Sequence, residues 1–149
     1  PAISIKINKL GKHIQEKFAS NYYNEVSAAI NFTAIDVLNN CILNKKPWDI
    51  AKCFDNSLYI SPFININNDI DFNNLEFTLI NNNDISILAN TNKMLWNFDK
   101  IIANISGYFT LKIGDIITVP FNSNKIEIAI NDILELSLNN KITGTIKIK

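Results

Sequence analysis

Apolar and polar side chains alternate through "ISIKIN" (residues 3–8), the period of a strand with one buried face. "KLGKH" turns the chain at Gly11, and "IQEKFASNYY" then spaces Ile14, Phe18 and Tyr22 four apart, which predicts a helix near 14–22. "VSAAINFTAIDV" predicts a buried strand running into a bend. "LNNCILNK" predicts a short helix that stops before Pro47, because the residue preceding a proline is pushed out of the α region. A short extended piece, "LYIS", follows the loop around Trp48. "LEFTLI" and "DISILAN", joined by "NNN", predict a β-hairpin whose turn residues suit positive φ. "NFDKIIANISGYF" brings Phe98, Ile101, Ile102, Ile105 and Phe109 near one face, a helix over 97–108 with Asn97 as its cap. "GDIITVP", "KIEIAI", "ILELSL" and "TIKIK" read as four more strands. Strands dominate, so the expected class is α+β, with mostly antiparallel or mixed strands and two or three helices.

Composition narrows the partners more than the fold. At 149 residues the chain is expected to form one domain, 1–149, with a single core. Its net charge is +0 and it contains no arginine, which excludes an electrostatic footprint for nucleic acid or an anionic membrane. Without guanidinium forks, any anion must be met by lysine as a point charge. Asparagine makes up about one residue in six and falls mainly in turns, the bias an AT-rich genome produces. Cys41 and Cys53 are too few for a disulfide framework and, with His13 as the only histidine, lack partners for zinc. Both read as buried small hydrophobes. No apolar run reaches membrane-spanning length and no secretory pattern opens the chain, so the expectation is a soluble cytoplasmic protein.

Candidate chemistry centres on "NKKPWDIAKCFDNSLYISPF" (residues 44–63), where Lys52 stands between Ala51 and Cys53 in apolar company. Its "KPWDIAKCFDNSLYISPF" resembles a loop of the fumarylacetoacetate hydrolase superfamily: Pro-Trp, Ala-Lys, Phe-Asp, Ile-Ser. "NTNKMLWNFDKIIANISGYFTLKIGDII" is similar to that family's Asn-Thr-x-x-Met segment, helix and "TL-x-x-GD". "KLGKHIQEKFASNYYNEVSAAINFTAIDV" follows its basic turn, helix and core strand. Three motifs in order cover nearly the whole chain. They imply the mixed β-roll or sandwich of the family's C-terminal catalytic domain, in a form like the short bacterial members.

That family binds Mg²⁺ or Mn²⁺ through a Glu-x-Glu strand and an aspartate on the next core strand. The cation polarises 2-oxo acids or β-dicarbonyls for C–C cleavage, decarboxylation or tautomerisation. Carried over by position, the second glutamate falls on Ala2, the first lies before Pro1, and the aspartate falls on Asn31. The arginine of the aspartate motif is Ile35, and the glycine before Asn-Thr is Ala89. "TVPFNSN" replaces the Thr-Gly-Thr-Pro turn around Val119 and Pro120. The family's upstream segment, with its His/Glu acid–base pair, is also absent from 1–149. The expectation is no intact catalytic residue and no cofactor.

Lys52 is then the family's substrate lysine, kept as a relic or as an anion binder, with Thr91 a second relic at the pocket rim and Met94 beside it. Thr91 reads equally well as a turn cap. Glu25 shares a strand face with Asn31 but lies too far along it to join one cation. Asp36 reads as the cap of the following helix, Trp48 as a packing anchor, and His13 as an exposed turn residue. Three functions remain open. One is a degenerate member, weakly active or inactive. Another is a metal-dependent hydrolase, decarboxylase or tautomerase of small 2-oxo or acylpyruvate acids. The third is a metal-free module that binds such an acid or another anion through Lys52. The resemblance also implies a homodimer.

Overall fold

Two antiparallel sheets carry the chain, and strand alternation decides which side of each faces the other. The computed structural model describes residues 1–66, 71–121 and 125–149. In chain order the strands are β1 (Ala2–Ile7), β2 (Tyr23–Asn31), β3 (Leu58–Ile60), β4 (Ile64–Asn65), β5 (Glu76–Asn81), β6 (Asp84–Asn90), β7 (Ile116–Pro120), β8 (Ile133–Leu138) and β9 (Lys141–Lys147). The first sheet runs β3-β2-β1-β7, with β4 also on β2; the second runs β6-β5-β8-β9. The helices are α1 (Ile35–Leu43) and α2 (Phe98–Tyr108), with short 3-10 turns between elements.

"ISIKI" works as its alternation predicts. Ile3, Ile5 and Ile7 point into the core, where Val26, Ala28 and Ile30 of β2 join them. Phe77 and Leu79 of β5 and Leu134, Leu136 and Leu138 of β8 close it from the second sheet. Each such side chain, fully withdrawn from water, contributes about 1.5–3 kcal/mol against the entropy of ordering the chain. Helix α2 is capped by Asn97, whose side chain accepts from the Lys100 amide at 2.9 Å. Phe98 and Ile102 of α2 are buried, and its Ser106 hydroxyl accepts from the Ile14 amide. Among the described residues no helix is long and apolar enough to cross a membrane.

The turns use asparagine where glycine is the usual choice. Asn56, Asn82, Asn83, Asn131, Asn139 and Asn140 all adopt left-handed φ, where asparagine's short polar side chain is tolerated better than most. At the β5–β6 turn, Asn82 is tied down at both ends of its amide. Its Nδ2 donates to Asp132 Oδ1 at 2.8 Å and its Oδ1 accepts from the Ile133 amide at 3.0 Å.

Five expectations need correction. The segment at 14–22 is a 3-10 helix over Glu16–Tyr22, not an α-helix. Side chains three apart align in that geometry, so Ala19 is buried while Phe18 is exposed. "KIEIAI" is not a strand. It ends in a tight turn in which the Ala129 amide donates to Asp132 Oδ2 at 2.8 Å, and only Ile126 packs on the core. Cys53 is exposed, and only Cys41 is buried. Trp48 is half exposed and anchors no core. Asp36 lies in the first turn of α1 rather than at its cap, which is Ala34, so it acts only through the helix dipole.

Candidate functional site

The register of the first sheet fixes where the carried-over ligand positions lie relative to one another. Ala2 stands opposite Ala29, Ser4 opposite Ser27 and Lys6 opposite Glu25. On the other side of β1, Pro120, Thr118 and Ile116 stand beside the same three residues. Directly opposed residues share a face, so Ala2, Ser4, Ser27, Ala29, Asn31 and Thr118 line one side of the sheet, away from the isoleucine core. Asn31 lies diagonally from Ala2, at a separation of about 7–8 Å for such neighbours. Continued in the same register, the position opposite Asn31 precedes Pro1. The two positions within the chain are thus close enough to serve one ion.

Their chemistry does not suit it. Mg²⁺ and Mn²⁺ need charged oxygen ligands, and here a methyl and a neutral amide stand in their place. Even a carboxylate before Pro1 would be the single anion of the set. Ala2 and Ala29 are fully buried, and the neighbouring hydroxyls are satisfied by one another. Ser4 Oγ and Thr118 Oγ1 are 2.8 Å apart, and Ser27 Oγ donates to the Ser61 carbonyl at 2.6 Å. Glu25, at the far end of this face, accepts from Lys6 Nζ at 2.9 Å. No group of three or more His, Cys, Asp or Glu side chains among the described residues could hold a metal ion. The residues present do not fit the family's cation.

Lys52 is exposed at the end of the short 3-10 turn Asp49–Ala51. Its ammonium lies 5.7 Å from the Trp48 ring centroid, a cation–π contact between residues four apart. Thr91 is buried and occupied: its hydroxyl accepts from the Leu75 amide and donates to the Phe72 carbonyl, both at 2.8 Å. The cap of its own turn is Asn90, so Thr91 instead ties that turn to the Phe72–Asn74 turn. Met94 and Ala89 line an open groove of about 770 Å³ together with Leu88, Lys93, Trp96 and Phe121. Lys52 is not among its lining residues. His13 is exposed in a turn, as expected.

The serine and threonine row escaped the sequence reading. Each strand's alternation was visible, but which rows meet across strands depends on register. A second omission is Tyr23, whose hydroxyl donates to Asp99 Oδ1 at 3.1 Å while its ring stands edge-on to Phe72 at 5.2 Å. Burial first, then the Asp99 charge and hydrogen bond, push this phenol well above its ordinary range.

Comparison with known proteins agrees with the fold. The family model of the fumarylacetoacetate (FAA) hydrolase C-terminal domain matches residues 2–120. The mitochondrial oxaloacetate decarboxylase of Dictyostelium discoideum is 31% identical over 115 residues, covering 77% of this chain and 53% of that protein. The mitochondrial oxaloacetate tautomerase of Mus musculus is 26% identical over 147 residues, covering 99% of this chain and 66% of that protein. The chain therefore spans between about half and two thirds of the length of these relatives. A Pseudomonas aeruginosa fumarylpyruvate hydrolase, solved with Mn²⁺ and pyruvate, superposes with a TM-score of 0.84 at 16% identity. That alignment covers 99% of this chain and 63% of that one, and at this identity it speaks for the fold alone.

Proposed function

The chain belongs to the fumarylacetoacetate hydrolase family, and from that premise we propose that it is a degenerate member whose divalent-metal chemistry is lost. The observation that carries this reading is the donor set at the two family positions within the chain. Ala2 and Asn31 sit on one sheet face, within reach of a shared ion, and offer it no charge. A dication placed there would give up its hydration shell to a methyl and an amide, an exchange that strongly favours the solvated ion. What remains is the β-roll, with weak activity or none.

Calorimetric titration with Mg²⁺ and Mn²⁺ at neutral pH tests this reading, alongside turnover of oxaloacetate and fumarylpyruvate, the substrates that the relatives' names carry. The expected result is no saturable metal binding and tautomerisation, decarboxylation and hydrolysis at the uncatalysed rates. A micromolar dissociation constant, with metal-dependent turnover, would restore the metal-dependent hydrolase, decarboxylase or tautomerase reading.

One observation favours a second reading, a metal-free anion-binding module. Lys52 carries no carboxylate partner among the described ion pairs and is held over Trp48. A small 2-oxo acid or another anion would meet that ammonium directly. Pyruvate or oxalate, added without metal, would then raise the melting temperature of the parent but not that of Lys52→Met.

A further inference from the structure

Strands β6 and β7 are outer strands of the two sheets, and the open groove lined by Met94 and Ala89 has residues of both in its walls. Register decides what β6 offers to it. The Thr91 amide donates to the Leu75 carbonyl, and the pairs Ala89–Phe77 and Ile87–Leu79 continue that ladder two residues at a time. Hydrogen-bonded and non-bonded pairs alternate along an antiparallel ladder, so the N–H and C=O of Leu88 and Asn90 point away from β5. Both residues line the groove, and among the described residues neither has a backbone partner on that open side.

The remaining walls are the Lys93–Trp96 segment, Ile101 of α2 and the end of β7. At about 770 Å³ the groove has the size of a small-molecule site. Lys93 is the only charged side chain among its described lining residues, and no described ion pair engages it. A second cation stands close by, since the Lys100 ammonium lies 4.9 Å from the Trp96 ring centroid. Phe77 packs against Phe121 at 5.6 Å, so both rings of the groove already have a partner. The surface left for a ligand is chiefly aliphatic, and it includes Met94, whose flexible thioether adapts readily to a ligand's shape.

We infer that this groove binds a medium-chain aliphatic monocarboxylate, its carboxylate on Lys93 and the open edge of β6, its chain along Leu88, Met94 and Val119. Charge selects the ligand. A cation beside unpaired amides, with no acid in the lining, favours an anion. The apolar walls disfavour a second charge. Such an acid differs from the 2-oxo acids that the resemblance implies, whose adjacent oxygens suit a metal and whose short bodies would leave these walls uncovered. Lys52 lies outside the lining, so the inference stands apart from both readings above and holds whether or not the protein binds a metal.

Calorimetric titration of the 149-residue chain with decanoate, below its micelle concentration and in EDTA, tests it, with methyl decanoate and decanedioate for comparison. The parent should bind one decanoate saturably and both comparison ligands at least tenfold more weakly. Lys93→Met and Leu88→Asp should each weaken decanoate roughly tenfold, and Lys141→Met on β9 should leave it unchanged. All three side chains are exposed, and circular dichroism checks that each variant is folded. Hydrogen exchange supplies the second readout: decanoate should slow the Leu88 and Asn90 amides at least threefold in the parent and not in Lys93→Met. No saturable binding up to 1 mM overturns the inference, as does equal affinity for the methyl ester or an affinity that survives both groove substitutions. Decanoate binding lost in Lys52→Met but kept in Lys93→Met also overturns it, and assigns the anion to Lys52 instead.

Discussion

The Thr91 hydroxyl is committed to the fold. It satisfies a buried amide and a carbonyl at once, so Thr91→Val should cost roughly 1–3 kcal/mol, seen as a lower urea midpoint at unchanged m. Ala2 poses the opposite test. Ala2→Glu with Asn31→Asp and Ile35→Arg, behind an added upstream Glu-x, would gather carboxylates on the face that now lacks them. Without metal their mutual repulsion and burial should remove about 1–3 kcal/mol, and Mg²⁺ should raise the melting temperature of this variant but not of the parent. Saturable stabilisation of the parent by millimolar Mg²⁺ would show that the ligand positions are misassigned. The methyl at Ala2 and the neutral amide at Asn31 were legible in the sequence, because a motif is read one residue at a time. The pairing of Ser4 with Thr118 was not, since nothing local encodes which rows of two distant strands meet.

Strands declared themselves through alternation wherever a partner strand was available. "KIEIAI" alternates as well as "ISIKI" does, but pairing is a long-range property, and the Ala129–Asp132 turn takes the chain elsewhere. The same limit hid the contact between sheets at Gly144 of β9, where an added Cβ would lie 2.5 Å from the Tyr59 hydroxyl and 3.2 Å from its ring. Gly144→Ala should therefore displace the half-buried Tyr59 ring rather than the strands, and lower the melting temperature only slightly, whereas a bulkier Gly144→Val should lower it further. The junction of β2 with α2 predicts a pH dependence. Below about pH 10 the Tyr23 phenol is neutral in both states. Above it the unfolded chain releases a proton that the folded chain retains, so the folded state loses stability by up to about 1.4 kcal/mol per pH unit from this group. Alkaline denaturation should show that slope in the parent and a shallower one in Tyr23→Phe, which should also be less stable at pH 7 by about 1–2 kcal/mol through the lost bond to Asp99.

At the scale of the molecule, the α+β class and the two-sheet core followed from alternation and resemblance together. The groove beside β6 did not, because which strands lie at the edge of a sheet depends on pairing across the chain. The left-handed asparagines bear on a different property, the protein's chemical age. Side-chain amides are thermolabile, and each one hydrolysed adds a negative charge to a chain whose net charge is +0. A stored sample should therefore drift to lower isoelectric point, band by band, with little change of fold at most turns, since aspartate also tolerates positive φ. Asn82 is the exception. Hydrolysis there would set a carboxylate against Asp132, whose own acidity the Ala129 amide first and then the Asn82 amide now enhance. Asn82→Asp should accordingly speed hydrogen exchange at the β5–β6 turn, whereas Asn139→Asp, which keeps its acceptor for the Glu76 amide, should leave exchange unchanged. Of these turns, the one joining β5 to β6 sets how long a stored molecule keeps its hairpin.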